Sequence, residues 1–324
     1  MEYLREYILG KAIYPLSLCF SISLILWLFL GIDKSHATEL MIHAEKKYLL
    51  FAFLMISLSP PIITYRWLGT LYCIPDNYTS FSEAFSAVIT AITINSFLPA
   101  KGGDMAKALY VRERYGLSAA MGSVLLERCV DLALLGSFAI VAMLSSMVDI
   151  VWAYLGCIPL VISIGIFLIV LFVPLNRWRY PKKLLTSLKN LQKVFRFWIK
   201  SPKAMIMTIG CSLLCWLVAF FVLFMLSRAL DPNPPYSLIG NAFPLAILAG
   251  LVPLTMSGLG TRDAVFVLLL TNEFGYDKSV LLAFGYTVLA YWYLSVIAAF
   301  TLAVRQLFKK IYSHRKSQYD NQML

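Results

Sequence analysis

Charge is scarce in this chain. Of 324 residues only 14% are Asp, Glu, Lys or Arg, against 60% hydrophobic and a mean hydropathy of +0.76. Soluble domains are nearer a quarter charged and half apolar, so a soluble core and a disordered chain are both excluded. Histidine is nearly missing: His36, His43 and His314 all lie outside the long apolar runs. The six cysteines form no CxxC pair and no metal-ligand spacing, which argues against a disulfide-stapled module and a Cys/His metal site. No Walker-type loop, GxSxG or HExxH string occurs, and the hydrophilic stretches are short loops. Neither an ATP-binding nor an aminoacyl-tRNA-binding domain is expected, and no cofactor, metal or catalytic group is predicted. The composition is that of an all-α polytopic membrane protein.

What charge there is, is concentrated. The formal net charge is +11, and nine bases with no acid lie between residues 176 and 203. The tail from Arg305 adds five bases against Asp320. Basic blocks beside spans mark the cytoplasmic side, so nucleic acid is not the expected partner. Leu184, Leu188, Leu191, Phe195 and Trp198 recur at helical spacing within the first block. An amphipathic linker helix on anionic inner-leaflet lipids is expected over 176–203.

A span needs roughly 20 mostly apolar residues. Six candidates fall at about 12–32, 48–67, 118–147, 150–175, 204–229 and 279–304; the first is read as an uncleaved span rather than a signal peptide. Two apolar segments break instead. Residues 83–99 stop at Pro99-Ala100-Lys101-Gly102-Gly103-Asp104, before a stretch carrying Lys107, Arg112, Glu113 and Arg114 that hydrocarbon would reject. Residues 238–256 stop at Ser257-Gly258-Leu259-Gly260-Thr261-Arg262-Asp263. Each reads as a re-entrant helical hairpin, since broken backbone at membrane depth needs protein or a wet cavity around it.

Placing 176–203 inside puts both termini in the cytoplasm and opens the two hairpins to opposite sides. The outer loops then hold seven acids and five bases. Tyr115-Gly116-Leu117-Ser118 after the first break parallels Phe274-Gly275-Tyr276-Asp277 after the second. The chain is therefore expected to be a single integral membrane domain over 1–324, an inverted repeat of about 48–147 and 204–304. Paired Gly/Pro-interrupted segments in inverted halves point to a transporter site near the midplane.

At each break a helix starts inside the protein and presents free amide groups. Lys101 with Gly102 and Gly103, and Gly258 and Gly260 with Arg262, are the expected seats for an anionic headgroup. Asp104 is suited to capping its helix or to binding a cation or proton; Asp263 is suited to neutralising Arg262, with Ser257 and Thr261 as hydroxyl caps. Glu127, Arg128 and Asp131 lie mid-span, with Glu127 and Asp131 on one face and Arg128 in reach of Asp131. Their net charge of −1 predicts either one free carboxylate for coupling or a structural ion-pair cluster. Arg66 and Glu83 read as interface residues.

The string Phe97 to Lys107, followed by Glu127-Arg128 and Asp131, and the later Pro253 with Gly258 to Asp263, resemble the two signatures of the lysylphosphatidylglycerol synthase transmembrane-region family, a flippase-like group of bacteria and archaea. Ser257 and Asp263 stand where Gly and Glu are expected, and Lys101 where Arg is common. The resemblance implies a lipid-handling domain with re-entrant helices in a prokaryotic plasma membrane. In the bifunctional synthases a separate soluble domain performs aminoacyl transfer; no stretch here matches it, so synthase activity is not carried over. The expectation is a translocase for an anionic, phosphate-bearing lipid, with a homodimer or a lipid-modifying enzyme as protein partner. The alternatives are a membrane-embedded transferase using Glu127 or Asp131 as base, and an accessory subunit that presents lipid.

Overall fold

The computed structural model describes residues 2–74, 79–98, 102–144, 150–175, 181–252 and 254–307, and among these it is helical throughout with no strand. Helix α1 (Glu2–Leu30) bends by 91° into α2 (Lys34–His43) across Gly31–Asp33, where Asp33 caps α2. Helices α3 (Lys46–Ile56) and α4 (Ser59–Leu71) form one run broken at Ser57 and Leu58. Pro60 and Pro61 lack the amide a helix interior needs and so sit in the first turn of α4.

Helix α5 (Phe81–Asn95) starts on a capping box of Ser80 and Glu83. After the break a short 3-10 turn (Gly102–Asp104) leads into α6 (Met105–Tyr115), then α7 (Leu117–Leu144) and α8 (Ile150–Phe172). The linker helix α9 (Lys182–Lys200) precedes α10 (Pro202–Leu230), α11 (Tyr236–Leu251), α12 (Thr261–Phe274) and α13 (Tyr276–Thr287). Helix α13 continues through a π-helical turn, Val288–Tyr293, so that the whole run is Tyr276–Leu307.

Among the described residues three runs are long and apolar enough to cross a bilayer, Lys46–Leu71, Pro202–Leu230 and Tyr276–Leu307, with the bent α1–α2 pair as a fourth. Helix α7 has the length but carries Glu127, Arg128 and Asp131 in its middle. The helices at both expected breaks pack against each other, α5 on α6 and α11 on α12.

A shift of 159 residues brings the element boundaries of the two second arms into coincidence. It carries Gly102 to Thr261, Tyr115 to Phe274, Gly116 to Gly275 and Leu117 to Tyr276, each a boundary of an element. The two glycines share one backbone conformation, φ 77° and ψ 143° against φ 83° and ψ 151°, a region open almost only to glycine.

Two apolar cores follow the halves. One is built on α4, α5, α6, α7 and α9 around Trp67, Leu126 and Phe195, the other mainly on α10 to α13 around Phe243, Phe266 and Leu223, with Ala52 and Ile56 of α3 and Leu135 of α7 joining it. Helix α9 departs from expectation: Phe195 and Trp198 are buried in the first core, so that part of its apolar stripe is covered by protein and not by lipid. Amphipathic spacing identifies a face that needs covering and says nothing of what covers it.

Candidate functional site

The two breaks meet. Ser257 Oγ donates to the carbonyl of Asn95, and Ser96 Oγ pairs with Ser295 and donates to the Tyr291 carbonyl at 3.1 Å. Glycines let each break fold back on its own first helix. A Cβ on Gly103 would lie 2.7 Å from the Ala91 carbonyl oxygen, and one on Gly258 (φ +76°) 2.7 Å from Gly250 Cα. Gly260 (φ +96°) lets α12 start against Leu24 of α1. Gly102 is open apart from Leu98; Lys101 lies outside the described residues.

Above the first break is a buried ion network. Arg66 Nε donates to Glu127 at 2.6 Å, and its Nη1 to both Asp131 oxygens at 2.8 and 3.0 Å. Lys107 Nζ donates to the other Glu127 oxygen at 2.5 Å and lies 3.6 Å from Asp104. Arg128 is 3.1 Å from Asp131 and 3.3 Å from Asp104. Asp104 also accepts from the Asn95 side-chain amide at 3.2 Å. Asp104 therefore makes no capping bond to its helix and faces cations instead.

One expectation changes here, and one residue gains a place. Arg66 is no interface residue: it is 6% exposed and holds two carboxylates. Lys107, which bare hydrocarbon would reject, is 1% exposed within protein. With both included, three cations face three carboxylates, and the expected surplus carboxylate disappears. Burying any of these six charges alone would cost several kcal/mol, so the network forms as a unit. Arg128, with a quarter of its side chain exposed, is the accessible member.

The second break is arranged differently. Asp263 caps its own helix by accepting from Gly260 N–H at 2.9 Å, and binds Arg262 at 2.9 and 3.1 Å and Thr287 Oγ1 at 2.9 Å. Arg262 is 1% exposed, its guanidinium 4.4 Å from the Tyr291 ring centroid and 5.6 Å from that of Tyr286. Ser257 and Thr261 cap no amide; Thr261 pairs with Thr255 at 2.9 Å.

Between the halves lies a cavity of about 170 Å³, room for several waters. Its charged floor is Arg66, Asp104, Lys107, Arg128 and Asp131; Ile56, Ile63, Ile92 and Leu294 form an apolar flank, and Tyr286 and Tyr291 screen Arg262 from it. Asn95 Oδ1, also on the wall, is buried without a hydrogen-bond partner among the described residues. No group of His, Cys, Asp and Glu suited to a metal occurs among the described residues.

An all-helical multi-pass membrane protein with an ion-paired cavity between two broken-helix halves is thus the class that fold and site define. The chain belongs to the lysylphosphatidylglycerol synthase TM region family, whose model matches residues 14–298. It is also similar to a UPF0104 membrane protein of Methanothermobacter thermautotrophicus, 23% identical over 256 residues that span 69% of this chain and 75% of the relative. Family membership places the protein in lipid metabolism at the membrane.

Proposed function

We propose that the protein is a nucleotide-independent translocase that moves an anionic, phosphate-bearing lipid or lipid-linked intermediate between leaflets of a prokaryotic plasma membrane. The observation that carries this reading is the two-sided cavity. A headgroup needs polar partners and its chains need an apolar wall, and one cavity at the junction of the halves offers both. Broken helices around such a site suit alternating access between an inverted pair of repeats.

Arg128 is the headgroup's first contact, with the amides of Gly102, Gly103 and Gly258 along its path; the Gly260 amide is already engaged by Asp263. Arg262, behind two tyrosine rings, holds Asp263 in place. The resting network is neutral. A phosphate that engages Arg128 weakens the hold on Asp104 and Asp131, and a proton or monovalent cation entering with the lipid restores the balance. That assigns coupling to Asp104, Glu127 and Asp131. Glu127 and Asp131 both accept from cations, which favours transport over a transferase needing either as a base.

Phosphatidylcholine vesicles doped with chain-labelled phosphatidylglycerol, quenched from outside, read the inversion rate directly. Arg128→Gln is expected to slow inversion at least tenfold while the protein remains folded. An unchanged rate overturns the site, and a chemically new lipid recovered from the vesicles overturns transport in favour of transfer.

A further inference from the structure

The densest positive charge of the molecule is not used by the transport just described. Residues 176–203 contain no acid. Yet α9 is no loose surface helix. Phe167 of α8 packs against Phe195 and Trp198 at 5.5 and 5.9 Å, and Trp198 Nε1 donates to Thr208 at 3.3 Å. Gln192 donates to the carbonyls of Val170, Leu171 and Val173, and Arg196 to that of Leu171, so the end of α8 is capped by side chains of α9.

This frame fixes the helix that carries Lys189, Lys193 and Arg196, all exposed, around a recess of about 300 Å³ whose lining residues include no carboxylate. A second hollow of about 260 Å³, almost wholly apolar, lies between α7, α8 and α10 with Trp198 at its edge. Its α8 residues Phe167 and Ile164 precede Val173 of the recess by about 9 and 14 Å of helix rise, at ~1.5 Å per residue. That spacing matches the step from a phospholipid's phosphate to its acyl chain.

We infer that α9 and the hollow beside it form a fixed site for one anionic phospholipid of the cytoplasmic leaflet, with its phosphate on Lys189, Lys193 and Arg196 and one chain along Phe167. Uncompensated cations at the membrane surface attract anionic headgroups, and a rigid shelf spares them the entropy of being ordered. This site does not rest on the transport reading.

The test counts lipids bound to the full-length protein by native mass spectrometry, in neutral detergent with dimyristoyl phosphatidylglycerol or dimyristoyl phosphatidylcholine. The wild type and the charge-matched control Lys182→Gln/Lys183→Gln/Lys200→Gln are expected to hold one more phosphatidylglycerol than Lys189→Gln/Lys193→Gln/Arg196→Gln. Ala133→Leu, which narrows the hollow and leaves every charge in place, is expected to weaken that lipid at least tenfold. Any lipid in the central cavity adds equally to all four counts, so failure of the transport reading leaves the difference of one intact. Equal counts, equal retention of phosphatidylcholine, or displacement by glycerol phosphate at the same concentration overturns the site; the last shows a free phosphate as the ligand.

Discussion

The two breaks share a backbone plan and spend their charges in different ways. Asp104 and Asp263 occupy one position in the 159-residue register, and each contacts the residue carried to the same place on the following helix, Arg128 and Thr287. In the first half Asp104 joins a six-charge network that opens on the cavity. In the second, Asp263 closes on its own neighbour Arg262, and two tyrosine rings seal the pair. Lys107 likewise corresponds to Phe266, a charge in one half and a core aromatic in the other, both fully buried. The two hairpins thus share turns while their charges differ, and the one that keeps an accessible cation is the one equipped to meet a ligand.

The sharpest way to break this comparison is to remove one cation from each half. Arg262→Met leaves Asp263 buried with no other cation and is expected to cost about 3–5 kcal/mol. The double variant Arg262→Met/Asp263→Asn removes both charges and is expected to recover most of that loss. Arg66→Met is expected to cost less, about 2–3 kcal/mol, because Lys107 and Arg128 still face Glu127 and Asp131. Thermal unfolding in one detergent measures all three. If Arg66→Met is the more damaging, the first network is the anchor and the assignment of roles is reversed.

Much of this was legible in the sequence, and the gaps have physical causes. The breaks at Gly102–Asp104 and Gly258–Gly260 were readable because glycine and proline act on the local backbone. Glu127 and Asp131 were readable as one helix face because four residues make about one turn. Arg66 was not: it reaches Glu127 across 61 positions, and no local period encodes that distance. The run ends at Leu71, so Arg66 sits more than a turn inside it. A signal was available nonetheless, since an apolar span with a net charge of −1 requires a cation from elsewhere. Lys107 was readable only as a charge that lipid rejects; its partner Glu127 lies 20 positions away, a distance that no local period encodes.

Gly116 and Gly275 test the shared plan without touching charge. A Cβ on either meets no atom within 4 Å, so the cost of alanine is backbone strain alone. Gly116→Ala and Gly275→Ala are each expected to cost about 1–3 kcal/mol, and to agree within about 0.5 kcal/mol because their φ and ψ agree. Unequal losses would show that the two turns are held differently by their surroundings.

The smallest expected effect separates the hairpins at their open ends. Glu83 of α5 accepts from Arg114 of α6 through two bonds of 3.2 Å, whereas α11 carries no Asp, Glu, Lys, Arg or His and so has no such tie to α12. The bond from Arg114, more than the help of Ser80, holds the Glu83 carboxyl below its ordinary value of 4.5. A lowered carboxyl pKa adds stability that is present above the unfolded value and is lost as pH falls through the folded one. Both side chains are about half exposed, so solvent screens the tie and its contribution is small. Glu83→Gln is expected to lower the melting temperature by a degree or so near pH 7, with the gap to wild type closing below about pH 4.5. Salt should close it as well, since exposed pairs are screened. A gap that persists at pH 3 would assign Glu83 to the capping box with Ser80 and not to the clasp, leaving the two hairpins alike at their mouths and different only at their breaks.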